Sequence, residues 1–328
     1  MNWHKLQQFY YPILPIARLG TDPFAFKLFN QSLVLVRLDN QIRCFDDYCP
    51  HRHVPLSEGH SDGKFLHCFY HGWKFDANGK AFLPHCLGKA PDVQLEHHLC
   101  REEDGWIWVK LRTNQSENTF QLPEGWIFPE GFSAHDSTHQ LTGDLLHSIE
   151  NFLDPTHTPY VHKTLLHNRG LQRMHISQTH HAHGFSTNYK LLEQQNGLIN
   201  RLFDSGIDTN IAYFSLPTVA HIDYLKGEKL QYRIALVFVP SEVGQIHLSV
   251  RVVIPKGMMP SSIKFALLKP FVKALLRQDQ AALLSHAKNK RFPEIPYRIC
   301  ANDLVIDHLL HLLADMPEGK DKSGLMEL

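Results

Sequence analysis

Two short segments, Cys49-Pro50-His51 and Cys68-Phe69-Tyr70-His71, decide how this chain is organised. Each segment supplies one cysteine and one histidine, and sixteen residues separate His51 from Cys68. Thiolate sulfur and imidazole nitrogen are the ligands that borderline and soft metals prefer in proteins. The two segments therefore predict one metal centre that is held by two loops.

The arrangement of these ligands distinguishes two kinds of centre. Two cysteines and two histidines are also a zinc set, but zinc motifs usually place their cysteines together and their histidines together. Here each loop carries one of each, which favours a [2Fe–2S] cluster with two sulfur ligands on one iron and two nitrogen ligands on the other, the Rieske arrangement. A structural zinc protein is the alternative, and it would be colourless.

Length, charge and cysteine content limit the other functions. The 328 residues allow two domains, and a formal net charge of zero argues against a nucleic-acid partner. No window approaches the roughly 20 apolar residues that span a bilayer, and the N-terminus lacks the apolar core of a secretory signal. Four of the six cysteines lie outside the two segments without paired spacing, so we expect a cytoplasmic protein without a disulfide framework.

The pattern of hydrophobic residues predicts an α+β chain. Residues 1–112 contain short strands with turn signals between them and are expected to form an all-β domain. Residues 113–125 are polar and aperiodic and are interpreted as a linker. In residues 126–328, strands near 230–239 and 246–254 precede a long helix at about 261–289, interrupted or kinked near Pro270. This order predicts a helix-grip-like domain in which a long C-terminal helix packs on an antiparallel sheet.

A second histidine pair, His157 and His162, lies in the second domain. On a straight helix, residues five apart differ by about 140°, so the two imidazoles would not share a face. Pro155 and Pro159 make a straight helix unfavourable and allow both rings to turn to one point. Asp154 before Pro155 is also typical of a helix N-cap, and a capped helix start is the alternative interpretation.

Asp279 is a candidate carboxylate partner for this pair. It follows Phe265, Leu268, Val272 and Leu275 at spacings of three and four, so it points the way the core residues point. An unpaired carboxylate there is costly, and a metal ion would compensate it. The alternative is a salt bridge or a partly exposed position at the edge of the core.

Two other histidine-containing stretches are expected to have no role. We interpret residues 179–183, with three histidines, as a polar loop. Asp303, Asp307, His308 and His311 are interpreted as an amphipathic surface segment.

The two metal motifs together resemble a known family. CPHRHVPL (49–56) and CFYHGWKF (68–75) resemble the Rieske domain of aromatic-ring-hydroxylating and related oxygenases. Residues 154–162 resemble the D-x-x-H-x-x-x-x-H motif of Rieske non-haem iron oxygenases. The resemblance implies a [2Fe–2S] cluster and a mononuclear Fe(II). The implied cluster ligands are Cys49, His51, Cys68 and His71, the implied iron ligands are His157, His162 and Asp279, and Asp154 is the implied link between the two centres.

The function implied is that of a terminal oxygenase of the compact, α-only type. Such a protein uses O₂ and electrons from NAD(P)H, delivered by a flavin/iron–sulfur reductase or a ferredoxin, and is expected to form a homotrimer in which Asp154 of one subunit faces His71 of the next. The expected reaction is hydroxylation or demethylation of a largely apolar small molecule, cyclic compounds included, and monooxygenation is favoured over dioxygenation. The alternative is a Rieske electron-transfer protein without oxygenase activity. This chain shows no glycine-rich dinucleotide fingerprint.

Overall fold

The structure, a computed structural model, describes residues 1–84, 86, 88, 91–112, 120–163, 173–192, 206–257, 260–289 and 298–327. Contacts divide the chain into two compact units. One contains Gln7–Phe120 and Val239–Val243, and the other contains Met1–Leu6, Gln121–Phe238 and Gly244–Leu328. The predicted linker at 113–125 lies partly outside the described residues, and the domain boundaries drawn from the sequence stay a prediction.

The first unit is built from two β-sheets. The six-stranded sheet has the order β1-β10-β9-β4-β3-β2, and a small sheet has the order β5-β6-β7-β8. The strands are β1 (Tyr11–Pro15), β2 (Phe24–Leu28), β3 (Gln31–Leu38), β4 (Gln41–Asp46), β5 (His60–Ser61), β6 (Leu66–His67), β7 (Lys74–Phe75), β8 (Ala81–Phe82), β9 (His97–Glu103) and β10 (Trp106–Lys110). Short 3₁₀ turns lie at Ile16–Arg18 and Leu56–Glu58.

Turn chemistry and burial explain why these segments form strands. Asp39 and Asn40 join β3 to β4 with positive φ angles of 47° and 61°, the geometry of a two-residue hairpin. Every residue of β10 is buried, and Trp106 and Trp108 anchor the sheet. The predicted all-β character of this part of the chain is confirmed.

The second unit contains an eight-stranded sheet with the order β11-β17-β16-β15-β14-β13-β12-β18. Its strands are β11 (Phe132–Thr142), β12 (Arg173–His181), β13 (Gly184–Leu191), β14 (Thr209–Ser215), β15 (Val219–Lys226), β16 (Lys229–Pro240), β17 (Gln245–Pro255) and β18 (Ser323–Glu327). Its described helices are α1 (Trp3–Leu6), α2 (Leu145–Leu153), α3 (Thr158–Val161), α4 (Ser261–Lys288) and α5 (Ile306–Ala314), with 3₁₀ turns at Glu124–Trp126 and Pro155–His157. The predicted α+β class and the long C-terminal helix are confirmed.

Helix α2 lies on one face of this sheet. Phe152 packs on Phe238 with ring centroids 6.3 Å apart, and the Tyr189 hydroxyl donates a 3.1 Å hydrogen bond to the Leu153 carbonyl at the end of the helix. Since residues opposite one another on neighbouring strands share a face, Tyr189 marks the face that carries α2. The residues that follow α2 are thereby fixed against the sheet.

Three expectations need correction. Helix α4 runs through Pro270 without interruption, so the expected break is wrong, while the expected kink stays a prediction. His180 and His181, expected in a polar loop, belong to strand β12, because the polar residues alternate with buried ones there. His308, expected at the surface, is fully buried on α5, where its ring packs on Phe185 at 5.1 Å.

The start of α2 depends on one capping carboxylate. Asp144 Oδ1 accepts hydrogen bonds from the backbone N–H groups of Leu146 (2.9 Å) and His147 (3.3 Å). We expect Asp144→Ala to lower the free energy of unfolding by about 0.5–2 kcal/mol, because these donors lose their partner. Asp144→Asn, which keeps a side-chain oxygen, is the matched control. Chemical denaturation of both variants tests this, and equal losses for the two would contradict a capping role.

Candidate metal centres

The first candidate centre is formed by two loops around Cys49 and Cys68. In the first loop, the Cys49 backbone N–H donates to the Val54 carbonyl, and the His53 N–H donates to the Cys49 carbonyl, both at 2.8 Å. In the second, the Cys68 N–H donates to the Trp73 carbonyl at 2.7 Å. Gly72 turns this loop with a φ of 68°, which a residue with a side chain adopts only with strain. Both loops are therefore held by their own backbone hydrogen bonds.

The four predicted cluster ligands converge at these loops. The thiols of Cys49 and Cys68 are buried within hydrogen-bonding reach of one another. The ring centroids of His51 and His71 lie 4.6 Å apart. The ring of Trp73 stacks nearly parallel to that of His51, with the centroids 5.0 Å apart. The Nδ1 atom of His51 is buried and has no hydrogen-bond partner.

This environment suits a cluster better than free thiols. Burial, together with the neighbouring thiol of Cys68, raises the pKa of Cys49 to about 11, so the unligated sulfur is protonated. Binding iron would replace that proton, and the unpartnered Nδ1 of His51 would be free to donate a lone pair to the second iron. The residues present therefore fit a [2Fe–2S] cluster.

The second candidate centre joins His157, His162 and Asp279. One potential ligand atom from each residue lies within 4.8 Å of the others. His157 Nε2 and His162 Nε2 lie 3.6 and 3.0 Å from Asp279 Oδ1. His157 ends the 3₁₀ turn at Pro155–His157, and His162 directly follows α3. Asp279 lies on α4. The segment that follows α2 and the long helix therefore meet at this site.

Hydrogen bonds at the outer nitrogens fix how both imidazoles point. His157 Nδ1 donates to the Asp154 carbonyl at 2.7 Å, and His162 Nδ1 donates to Gln278 Oε1 at 2.8 Å. With the proton on Nδ1, each Nε2 carries a lone pair that faces Asp279. Asp279 Oδ1 is buried and makes no hydrogen bond of ordinary geometry, although His162 Nε2 is near. Three acceptor atoms that face one another repel unless a cation lies between them, so the set fits a divalent metal.

The pKa values reflect this crowding. Burial lowers the pKa of His157, which keeps the ring neutral, as a metal ligand must be. Burial also lowers the pKa of His162, but the contacts with Asp279 and Gln278 outweigh it and the net pKa is raised. A proton or a metal ion can relieve the same repulsion at this site, so metal affinity is expected to fall in acid.

Asp154 lies beside this triad and is half-buried. Its carboxylate accepts hydrogen bonds from the Thr156 backbone N–H at 3.1 Å and from the Thr156 hydroxyl, which is the N-cap predicted before Pro155. Burial raises the pKa of Asp154 despite these bonds. Glu150, one turn earlier on α2, has a pKa raised to about 7 by burial and by the nearby carboxylates of Asp154 and Asp303.

Gln278 and Glu150 were not predicted from the sequence as parts of this site. Gln278 directly precedes Asp279, but the sequence does not show that its amide reaches His162, because helix α4 and the 158–162 segment are distant in sequence. Glu150 is four residues before Asp154, so the helical spacing alone would have placed the two carboxylates side by side.

Comparison with known sequences identifies the first centre. Residues 9–93 match the family model described as Rieske [2Fe-2S] domain. Protein TIC 55, chloroplastic, of Pisum sativum is 32% identical over 161 residues, which is 47% of this chain and 29% of that protein. Methylxanthine N1-demethylase NdmA of Pseudomonas putida is 27% identical over 174 residues, 48% of this chain and 47% of that protein. The chain thus spans less than half of the length of each.

Comparison with solved structures extends the likeness to both units. The crystal structure of dicamba monooxygenase bound to dicamba has a TM-score of 0.81 at 17% identity and covers 94% of this chain and 97% of that one. NdmA of Pseudomonas putida CBB5 with caffeine has a TM-score of 0.75 at 19% identity and covers 93% and 89%. This likeness confirms the predicted fold. No helix among the described residues is both long and apolar enough to cross a membrane.

The contact between Gln278 and His162 generates a prediction. Gln278→Leu removes the acceptor that holds His162. We expect the affinity of the second centre for Fe(II) to fall about 10–100-fold, which is the usual loss when a hydrogen-bond partner of a metal ligand is removed. Gln278→Glu keeps an acceptor and is the control. Iron titration after chelation measures the affinity, and the visible absorption of the first centre should not change. Equal affinities for Gln278→Leu and the unmodified protein would show that other contacts hold His162.

Proposed function

We propose that this chain, a member of the Rieske non-haem iron oxygenase family, is the terminal oxygenase of a multicomponent system. It uses O₂ and electrons that a separate flavin/iron–sulfur reductase or a ferredoxin delivers from NAD(P)H. The cluster is held by Cys49, His51, Cys68 and His71, and a mononuclear Fe(II) by His157, His162 and Asp279. The observation that carries the proposal is the convergence of these last three side chains in a chain that also has a Rieske domain.

The residues of the chain orient and protect the two metal centres. When bound, the cluster supplies single electrons, and an iron held by two histidines and one carboxylate activates O₂. Gln278 and the Asp154 carbonyl hold the two histidines with Nε2 inward, and Asp279 offers an oxygen from the core-facing side of α4. Burial of His162 and the partial burial of His157 and Asp279 limit access of water to the site.

Asp154 is proposed to carry electrons between the centres of neighbouring subunits in a homotrimer. Its carbonyl contacts the iron-binding His157, and its carboxylate is fixed by Thr156. His71 is exposed, beside Phe69 and Tyr70, which are 51% and 56% exposed, so the cluster edge is accessible to a second subunit. The carboxylate of one subunit would then accept a hydrogen bond from His71 of another.

The substrate is proposed to be a largely apolar small molecule that is hydroxylated or demethylated. The sheet face that carries α2 presents buried apolar side chains, among them Ala212, Phe214, Ala220 and Phe238. Ligand sites of this kind are mostly apolar with few polar groups. Names of similar proteins, a methylxanthine demethylase and dicamba monooxygenase, support demethylation or monooxygenation of a ring compound.

A Rieske electron-transfer protein is the rival function. Electron transfer alone does not require the inward-facing set of His157, His162 and Asp279, and this set favours the oxygenase. The two functions differ in metal content, which makes them separable by analysis.

Metal analysis is the first test of the proposed function. Protein purified without oxygen should contain about three iron atoms for every two acid-labile sulfides, because a [2Fe–2S] cluster and one further iron are both bound. His157→Ala should keep the colour of the cluster, lose the third iron and lose substrate turnover. A ratio of two iron to two sulfide that persists after Fe(II) is added back would contradict the oxygenase proposal and favour a Rieske electron-transfer protein.

The role of Asp154 has its own test. Asp154→Asn removes the charge but keeps the size, so we expect both metal centres to load normally while turnover falls about 10–100-fold, the usual effect of removing a contact that orients a ligand. Single-turnover absorption measurements should show slower oxidation of the reduced cluster in the presence of O₂ and substrate. Oxidation at the unmodified rate would exclude Asp154 from the electron path.

A further inference from the structure

A second histidine cluster lies on the same unit, away from the triad residues in sequence. His180 on β12 and His308 on α5 face one another with their Nδ1 atoms 3.3 Å apart. His308 is fully buried, and its Nε2 has no hydrogen-bond partner. A third imidazole, of His311, has its ring centre 5.7 Å from that of His180. Three imidazoles thus meet where a strand and a helix pack.

The 3.3 Å separation of the two Nδ1 atoms fits either two ligands of one metal ion or a hydrogen bond between the rings. Two ligands held at about 2.0–2.1 Å from a tetrahedral ion lie about 3.3–3.4 Å apart, so His180 and His308 are spaced as two zinc ligands are. A hydrogen bond between neutral imidazoles, with the proton on one Nδ1, gives a similar distance and is the competing explanation.

The outer nitrogens distinguish these explanations. His180 Nε2 lies 3.3 Å from Glu318 Oε1, and His308 Nε2 lies 3.7 Å from Asp321 Oδ1. The carboxylate of Glu318 favours the proton on His180 Nε2, which leaves His180 Nδ1 as an acceptor. Asp321 is too far from His308 Nε2 for a hydrogen bond, and its charge favours a proton on that nitrogen only electrostatically. When both rings are in this form, the two Nδ1 atoms carry lone pairs that face each other. Carboxylate, histidine and metal in this order are the usual outer arrangement of a histidine ligand.

The backbone delivers both carboxylates to this place. Gly319 lies so close to α5 that a Cβ atom there would be 2.7 Å from the Asp307 Cβ, so only glycine fits. Glu318 precedes Gly319, and Asp321 follows it by two residues, so this close approach brings both carboxylates near α5. Next to Asp321, Lys322 forms an ion pair with Asp307 at 3.4 Å. The segment then continues into β18, which pairs with β12.

We propose that His180 and His308 bind a divalent cation of the zinc class through their Nδ1 atoms. His311 Nδ1 donates to the Met316 carbonyl at 2.7 Å, so water would fill the remaining positions. The carboxylates of Glu318 and Asp321 lie near the outer nitrogens of the two ligands. The ion would join strand β12, helix α5 and the segment that leads to β18. This site is separate from the iron-binding triad and does not depend on the proposed oxygenase function.

The test uses the iron-loaded protein and ZnSO₄ as the probe. After equilibration with Zn²⁺ and removal of the excess, the unmodified protein should retain one more zinc than His180→Ala, with the same iron content in both. His181→Ala is the matched control, because His181 is the exposed neighbour on β12, and it should retain this zinc. Glu318→Gln, at a largely exposed carboxylate, should bind it about 10–100-fold more weakly while folding normally.

Two results would overturn the site. Equal zinc retention by the unmodified protein and both His180→Ala and Glu318→Gln would mean that the histidines share only a proton. Zinc uptake matched by an equal loss of iron would mean that zinc had entered the triad instead. If His180→Ala does not fold, zinc retention by Glu318→Gln, at a largely exposed carboxylate, gives the same decision.

Discussion

Repulsion among three inward-facing acceptor atoms is the constraint around which the second unit is organised. His157 Nε2, His162 Nε2 and Asp279 Oδ1 come together although none offers a proton to the others in the tautomers that the outer hydrogen bonds select. Such an arrangement is unstable alone and must be held by the rest of the fold. The capped start of α2, the Tyr189 contact at its end and the length of α4 supply that support. Preorganisation of this kind is what a site needs to bind a metal in one geometry.

The Rieske unit solves a related problem with different groups. Burial raises the pKa of the Cys49 thiol, so iron must compete with a proton for this sulfur. Backbone hydrogen bonds shape both loops, and the two buried cysteines also pack in the hydrophobic core of this unit, against which Val54 and Trp73 lie. These contacts are mostly local to the two segments, which explains why a short motif identifies the site.

The sequence predicted the parts of the molecule that have strong local signals. Paired Cys–His motifs, the turn signals between the short strands of residues 1–112 and the hydrophobic runs that become β16 and β17 act over a few residues, and the fold follows from them. Asp279 was reached from helical periodicity, although the buried members of that helix are only Phe265 and Leu283 among the described residues. The contact of Gln278 with His162 and the burial of His308 could not be predicted from the sequence. Both depend on which distant segment of the chain packs against the helix that carries the residue.

The two histidine sites of this unit use carboxylates in opposite ways. In the triad the carboxylate of Asp279 faces the inner nitrogens, and neutral acceptors hold the outer ones. At His180 and His308 the carboxylates lie at the outer nitrogens, and the inner positions hold only imidazole. An inner carboxylate adds a hard oxygen ligand, which suits an iron that must keep positions open for other molecules. An inner pair of imidazoles with carboxylates near the outer nitrogens suits zinc, which prefers nitrogen ligands. The positions of the carboxylates thus distinguish the proposed iron site from the proposed zinc site.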